Sequence, residues 1–304
     1  MITQCCRGLT GLSACLSCAE DEIMKMLDIR LPKKPLSANF YHIKLNRARI
    51  WYCLIIGAMG ILNFNPQRAY SQELTAGDII DRVNDTMNRP TVVATTKMII
   101  TTTSGQKREF VFESYSKDKG EKSLIKYLSP KRVKGQAVLM LNNADDIWMY
   151  FPRTNRVRRL ATHAKKQKMG GSDFSYEDMG SGDAWTEDFI SRLLEDEKIG
   201  DISCYKLELS IKEDAESGYS RMVMWIDKEN FVPLQIDYYD EDDLELHLKR
   251  LTLSDIRRIE DIPTPMKMVM VDLQDNTDTI MEYENITYKE DLPNNLFTER
   301  GMKE

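Results

Sequence analysis

"TVVATTKMIITTTSGQKREFVFESY", residues 91–115, decides the architecture of this 304-residue chain. Its first thirteen residues are rich in β-branched side chains, its last nine alternate apolar with polar, and Ser104-Gly105 lies between them. A period of two on both sides of a turn predicts a β-hairpin. Upstream the period is different. Ile79, Ile80, Val83 and Met87 recur at helical spacing, Thr75 and Asp78 suit the first turn, and Arg89-Pro90 ends the run. One amphipathic helix is expected there.

Downstream the period of two persists. "KSLIKYL", "QAVLML", "DIWMYFP", "RVRRL", "YKLELSIK", "SRMVMWIDK", "LELHLKRL", "MKMVMVDL" and "DTIMEYENITY" are each bounded by turn residues. Short turns join antiparallel neighbours. A second helix is expected over 186–197, with Phe189, Ile190, Leu193 and Leu194 as its apolar stripe. About eleven strands with one apolar face and two helices to cover it predict a mainly β (α+β) domain. It is a strongly curved antiparallel sheet, an unclosed β-barrel with helices as a lid. The rival is a transmembrane barrel. Charges of both signs recurring on one strand face argue for a solvated surface instead.

The N-terminal quarter reads differently. Lys44, Arg47 and Arg49 precede the uncharged stretch "IWYCLIIGAMGILNF" at 50–64, and Ala69 and Ser71 follow. A basic flank, a short apolar segment and small residues suit a secretory signal peptide cut near Ser71/Gln72, an uncleaved signal anchor being the alternative. Residues 1–71 are thus an extension plus signal, with Met24 or Met26 as a candidate true start, and 72–304 the mature domain. The segment 1–71 holds 9 Lys/Arg and 4 Asp/Glu, so 33 and 44 remain, a net charge of −11. That balance argues against nucleic-acid binding. One cysteine remains, Cys204, so no disulfide can form within the mature domain, and burial is expected for it.

Little speaks for catalysis. The mature domain has His163 and His247, neither at metal-ligand spacing, and no nucleophile elbow or phosphate loop. No cofactor is expected and the domain reads as a non-enzyme. Thirteen methionines remain, several on strand faces. Flexible thioethers lining a concavity suit greasy molecules of varying shape, though they serve ordinary packing equally. Alternation nominates Met222, Met224, Leu246, Leu248 and Met268 as a cargo cavity, with Trp148 beside them. Positive charge is concentrated in 153–168. Arg153, Lys165, Lys166 and Lys168 are expected as exposed docking charges, facing an acidic partner or anionic membrane. Arg156, Arg158 and Arg159 fall on a strand, where alternation is expected to point Arg158 away from its two neighbours. At least one of the three is expected at the cavity mouth, holding a head group. "GGSDFSYED" follows. Gly170 and Gly171 give it backbone freedom, and Asp173, Phe174 and Tyr176 complete an expected lid or hinge.

"IWMYFPRTNRVRRL" and "MGGSDFSYEDM" together resemble the LolA-like, outer membrane lipoprotein-sorting protein family of Gram-negative bacteria. Trp148, Tyr150, Pro152, Arg156, Arg158, Arg159, Gly171, Ser172, Asp173, Phe174, Tyr176, Glu177 and Asp178 carry the likeness in order, and "LPNNLFTER" resembles the family's closing segment. It spans roughly 72–302. The resemblance implies an unclosed barrel with a helical lid. It also implies a periplasmic carrier of lipid or lipoprotein acyl chains, passing cargo from an inner-membrane transporter or exporter to the outer membrane. The alternative is a scaffold subunit of an envelope export complex that binds no lipid.

Overall fold

The computed structural model describes residues 73–180, 182, 184–288 and 291–304. The expected extension, start, signal peptide and cleavage site lie outside the described residues. Helix α1 (Ala76–Met87) begins as expected. Thr75 Oγ1 accepts the Asp78 N–H at 3.1 Å, and the Asp78 carboxylate accepts the Thr75 N–H at 2.8 Å. This reciprocal cap satisfies two otherwise orphaned donors. Ile79, Ile80 and Val83 are buried.

Six strands follow as a meander: β1 (Thr91–Thr101), β2 (Lys107–Lys117), β3 (Lys122–Ser129), β4 (Ala137–Leu141), β5 (Asp146–Phe151) and β6 (Arg156–Arg159). A long connection holds two short helices, α2 (Tyr176–Gly180) and α3 (Ala184–Glu187). The second meander contains β7 (Phe189–Leu193), β8 (Glu197–Ile199), β9 (Ile202–Ile211), β10 (Tyr219–Asp227) and β11 (Pro233–Asp240). It ends with β12 (His247–Ile259), β13 (Ile262–Asp272) and β14 (Thr277–Thr287).

All fourteen strands join one antiparallel sheet, ordered β6-β5-β4-β3-β2-β1-β14-β13-β12-β11-β10-β9-β7, with β8 paired to β9. First and last strands meet in the middle, from Val93 opposite Thr287 to Thr101 opposite Asp278. The outermost strands, β6 and β7, do not pair, so the curved sheet is an unclosed barrel. A lipid-spanning barrel must close, because hydrocarbon cannot satisfy a free strand edge. Among the described residues no helix is long and apolar enough to cross a membrane.

Fourteen strands exceed the expected eleven for identifiable reasons. The stretch expected as a second helix forms α3 and then β7, which pairs with β9. Its supposed stripe does not hold together: Phe189 is buried, while Ile190 is 62% and Leu193 42% exposed. Strand β11 was hidden because it is buried on both faces, so "PLQIDYYD" does not alternate; Pro233 sits at its first position, where a missing donor is tolerated. The three residues of β8 are too few to show a period.

The principal core fills the inner face. Met98, Phe112, Ile125, Leu207, Met224 and Ile236 belong to it, and α1 contributes its buried stripe. A second cluster covers the outer face of β3–β5, where Leu292, Phe297 and Met302 of the C-terminal segment pack on Leu124, Ala137 and Leu139. A third holds Cys204, buried as expected.

Candidate functional site

Topology fixes the course of the connection between β6 and β7. These strands are the opposite edges of the sheet, so residues 160–188 must run from one edge to the other. They do so across the inner face, as a strap. Gly170 lies beside the Tyr127 hydroxyl of β3, and the Gly171 carbonyl accepts from Arg108 of β2 at 3.4 Å. Both glycines have positive φ, 62° and 78°, as the turn requires.

Beyond this turn "SDFSYED" is anchored by its polar side chains. Asp173 is 4% exposed. Its carboxylate accepts from Thr277 Oγ1 at 2.6 Å and Thr279 Oγ1 at 2.7 Å, and its N–H donates to Thr279 Oγ1 at 2.9 Å. Asp178 accepts the Ser175 N–H at 2.7 Å, the Tyr219 hydroxyl at 2.9 Å and Lys249 Nζ at 2.5 Å. The Lys249 ammonium also lies 4.8 Å from the Tyr219 ring centroid and 5.3 Å from that of Tyr238. Glu177 accepts from the Ser217 hydroxyl and from the Gly218 N–H. Buried charges of this kind persist only when paired and hydrogen-bonded. The strap is therefore tied to β14, β12 and β10, and to the 211–219 turn.

Burial sets the electrostatics. It pushes the Glu177 carboxyl up, against the pull of its bonds from Ser217 and Gly218. Burial, aided by the negative Asp178 and Glu177, holds the Tyr219 and Tyr238 phenols far above their ordinary range. Tyr127 is pushed up to about 12, again chiefly by burial.

Between the strap, α1 and the sheet lies a cavity of about 270 Å³. Five methionines line it: Met87 from α1, Met179 from the strap, Met222, Met268 and Met281 from the sheet. Phe112 and Phe174 add aromatic surface, and Glu177 and Asp178 set two carboxylates into the wall.

The expected site residues divide accordingly. Met222 and Met268 line the cavity. Met224 is fully buried in the adjoining core and does not reach it. Leu246 precedes β12 and Leu248 is only partly buried; neither lines the cavity. The inward positions of β12 are Lys249, Leu251 and Leu253, one residue out of phase with the expected face. An offset of one exchanges every inward side chain. Trp148 is on the outer face, in the cluster covered by the C-terminal segment.

The basic stretch is corrected more deeply. Lys165 is 8% exposed and pairs with Asp145 at 2.8 Å, so it is no exposed docking charge. Lys166 pairs with Glu241. Lys168 pairs with Asp275 at 2.7 Å, Asp272 at 2.8 Å and Asp173 at 3.4 Å. Arg153, Arg156, Arg158 and Arg159 are exposed. Arg158 faces Met149 across the ladder and Arg159 faces Trp148. Arg156 and Arg158, two positions apart, therefore share the inner face, and it is Arg159 that points outward, where it pairs with Asp146. Phe174 and Tyr176 are buried in the strap.

Two glycines escaped the sequence reading. A Cβ on Gly182 would come within 2.7 Å of the Lys119 carbonyl, and one on Gly120 within 2.7 Å of the Gly182 Cα. This contact lays the end of the strap against the β2–β3 turn. The "GSG" of 180–182 was the available signal, too short to interpret without the fold.

Comparison with known proteins agrees with this geometry. A family model described as "Uncharacterized protein" matches residues 119–304. No curated protein matches the chain. A crystal structure from Vibrio parahaemolyticus, assigned as an outer membrane lipoprotein-sorting protein domain, is 26% identical. The match covers 75% of this chain and 97% of that one, with a TM-score of 0.67. A DUF1329 family protein from Desulfovibrio piger is 27% identical over 75% of this chain and 97% of its own, TM-score 0.68. A LolA superfamily protein from Nitrosomonas europaea, 23% identical over 74% and 98%, TM-score 0.62, shares the fold.

Proposed function

We propose that this chain, which belongs to the LolA-like family of outer membrane lipoprotein-sorting proteins and to the family whose model matches residues 119–304, carries acyl chains of a lipid or lipoprotein through the periplasm. The observation that carries the reading is the methionine-rich cavity beneath the strap. Each methylene moved from water into such a site contributes roughly 0.8 kcal/mol, enough to drive uptake without nucleotide or chemistry. The domain acts as a carrier and not as an enzyme. Its cargo passes between an inner-membrane transporter or exporter and the outer membrane.

The cavity's size gives the reading a mechanism. At about 270 Å³ it falls just below the roughly 300–1,000 Å³ of ordinary ligand pockets. A long acyl chain needs more room, so loading requires the strap or α1 to yield. Methionine side chains accommodate the change with little strain. Gly170 and Gly171 are the positions where the strap can bend.

The test is native mass spectrometry of the protein taken from its host's envelope, followed by lipid extraction. A carrier shows an acyl-bearing adduct. A chain that repeatedly emerges lipid-free while holding a protein partner is the scaffold subunit instead.

A further inference from the structure

A second cavity, also about 270 Å³, opens at the β6 edge of the sheet. The β3–β4 turn supplies Arg132 and Gln136 to it. The β5–β6 turn supplies Pro152 and Arg153, and β5 and β6 supply Phe151 and Arg158. Three guanidinium groups thus meet in one concavity whose lining contains no carboxylate. Arg132 lies 5.6 Å from the Phe110 ring centroid and Arg158 5.8 Å from that of Phe151. Aromatic faces orient the guanidinium groups but do not neutralise them. Lys131, Lys134 and Arg156 each stand within two residues of a lining residue in the chain, and all three are exposed. Among the described residues none of these six cations joins an ion pair, whereas Arg159, Lys165, Lys166 and Lys168 all do.

We infer that this pocket binds the phosphate of an anionic phospholipid head group at a membrane surface. Converging planar guanidinium forks match a phosphate's oxygens in bidentate fashion, a geometry that ammonium groups do not offer. A small free anion would occupy the three arginines and leave Lys131, Lys134 and Arg156 without a role. A surface that repeats the same charge uses all six. The rest of the mature domain is acidic and is repelled by such a surface, so this edge alone orients the molecule toward it. The inference rests on the edge and does not depend on the acyl cavity.

Vesicle co-sedimentation tests it, with the full protein from its host and either phosphatidylcholine or mixed phosphatidylglycerol–phosphatidylcholine vesicles. The protein should bind only the mixed vesicles. R132S/R153S/R158S should weaken that binding about a hundredfold and K131S/K134S about twentyfold, since each surface cation contributes comparably near an anionic bilayer. K166S, whose charge is already paired, should bind as the parent does. Equal binding by the triple variant and the parent overturns the assignment, as does equal binding to both kinds of vesicle. Titration with inorganic phosphate separates the sources: phosphate bound by a protein that ignores mixed vesicles marks a free-anion site and defeats the lipid assignment.

Discussion

Seven cations stand between Arg153 and Lys168, and the fold divides them into two regions with opposite environments. Three at the β6 edge, Arg153, Arg156 and Arg158, are exposed and have no carboxylate partner among the described residues. The other four are paired: Arg159 with Asp146, Lys165 with Asp145, Lys166 with Glu241, and Lys168 with three aspartates at once. Linear charge density therefore says little about the field a segment projects. What matters is where the acids of other strands come to lie. The edge leaves its charge unpaired among the described residues, and the strap's charges hold it across the sheet.

The sharpest way to break this contrast is to remove a strap anchor. Lys249→Met leaves the Asp178 carboxylate buried without its cation, which costs about 3–5 kcal/mol. Arg156→Ser, at the edge, should stay within about 0.5 kcal/mol of the parent. Chemical denaturation measures both. If Lys249→Met unfolds like the parent, the strap is not anchored as described. A smaller effect is expected at Thr279. Thr279→Val removes a fully buried hydroxyl that donates to the Asp173 carboxylate and accepts its N–H, at a cost of about 1–3 kcal/mol by the same measurement.

A third effect is readable in pH. Burial raises the Glu177 carboxyl above its ordinary 4.5. The folded chain then holds that proton more tightly than the unfolded chain, so ionisation costs stability as pH rises from 4.5 through the raised value. Below 4.5 both states are protonated and the cost is absent. Glu177→Gln abolishes the titration. The variant's Tm relative to the parent should climb across that window and level off above it; a difference that stays flat with pH removes the proposed penalty. The smallest expected effect compares Lys168→Ser with Arg153→Ser. Lys168 is part-exposed, so its loss costs less than about 1 kcal/mol and fades in high salt, whereas Arg153→Ser should show no salt-dependent difference in denaturation midpoint.

Local chemistry was legible in the sequence and long-range chemistry was not. Thr75 and Asp78 are three residues apart, so the cap of α1 could be read directly. So could the β1–β2 hairpin, whose alternation and Ser104-Gly105 turn lie within twenty-five residues. Phe189, Ile190, Leu193 and Leu194 fit a helical stripe equally well; the free side of β9 decided in favour of a strand, a fact held nearly twenty residues away. At the start of β12 the apolar Leu246 and Leu248 suggested one face, but Leu251 and Leu253 take the inward positions, with Lys249 drawn inward by Asp178. The glycines, aromatics and acids of "GGSDFSYED" stood out, yet their partners Ser217, Lys249, Thr277 and Thr279 are forty to more than a hundred residues downstream. The inward methionines of β10 and β13 were legible because strand alternation is local. The arginine pocket was half legible, because Arg132 enters from a different hairpin.

The central claim is that acyl chains are held beneath the strap, and binding of a fluorescent eighteen-carbon fatty acid tests it most directly. The parent protein should bind the probe in a saturable manner, with one site per chain. A variant carrying Met222→Glu, checked for a cooperative melt, should bind at least tenfold more weakly, while R132S/R153S/R158S binds as the parent does. Met268→Glu serves in its place if the first variant does not fold. Undiminished binding by a folded cavity variant, or a parent that binds no probe, would contradict the account.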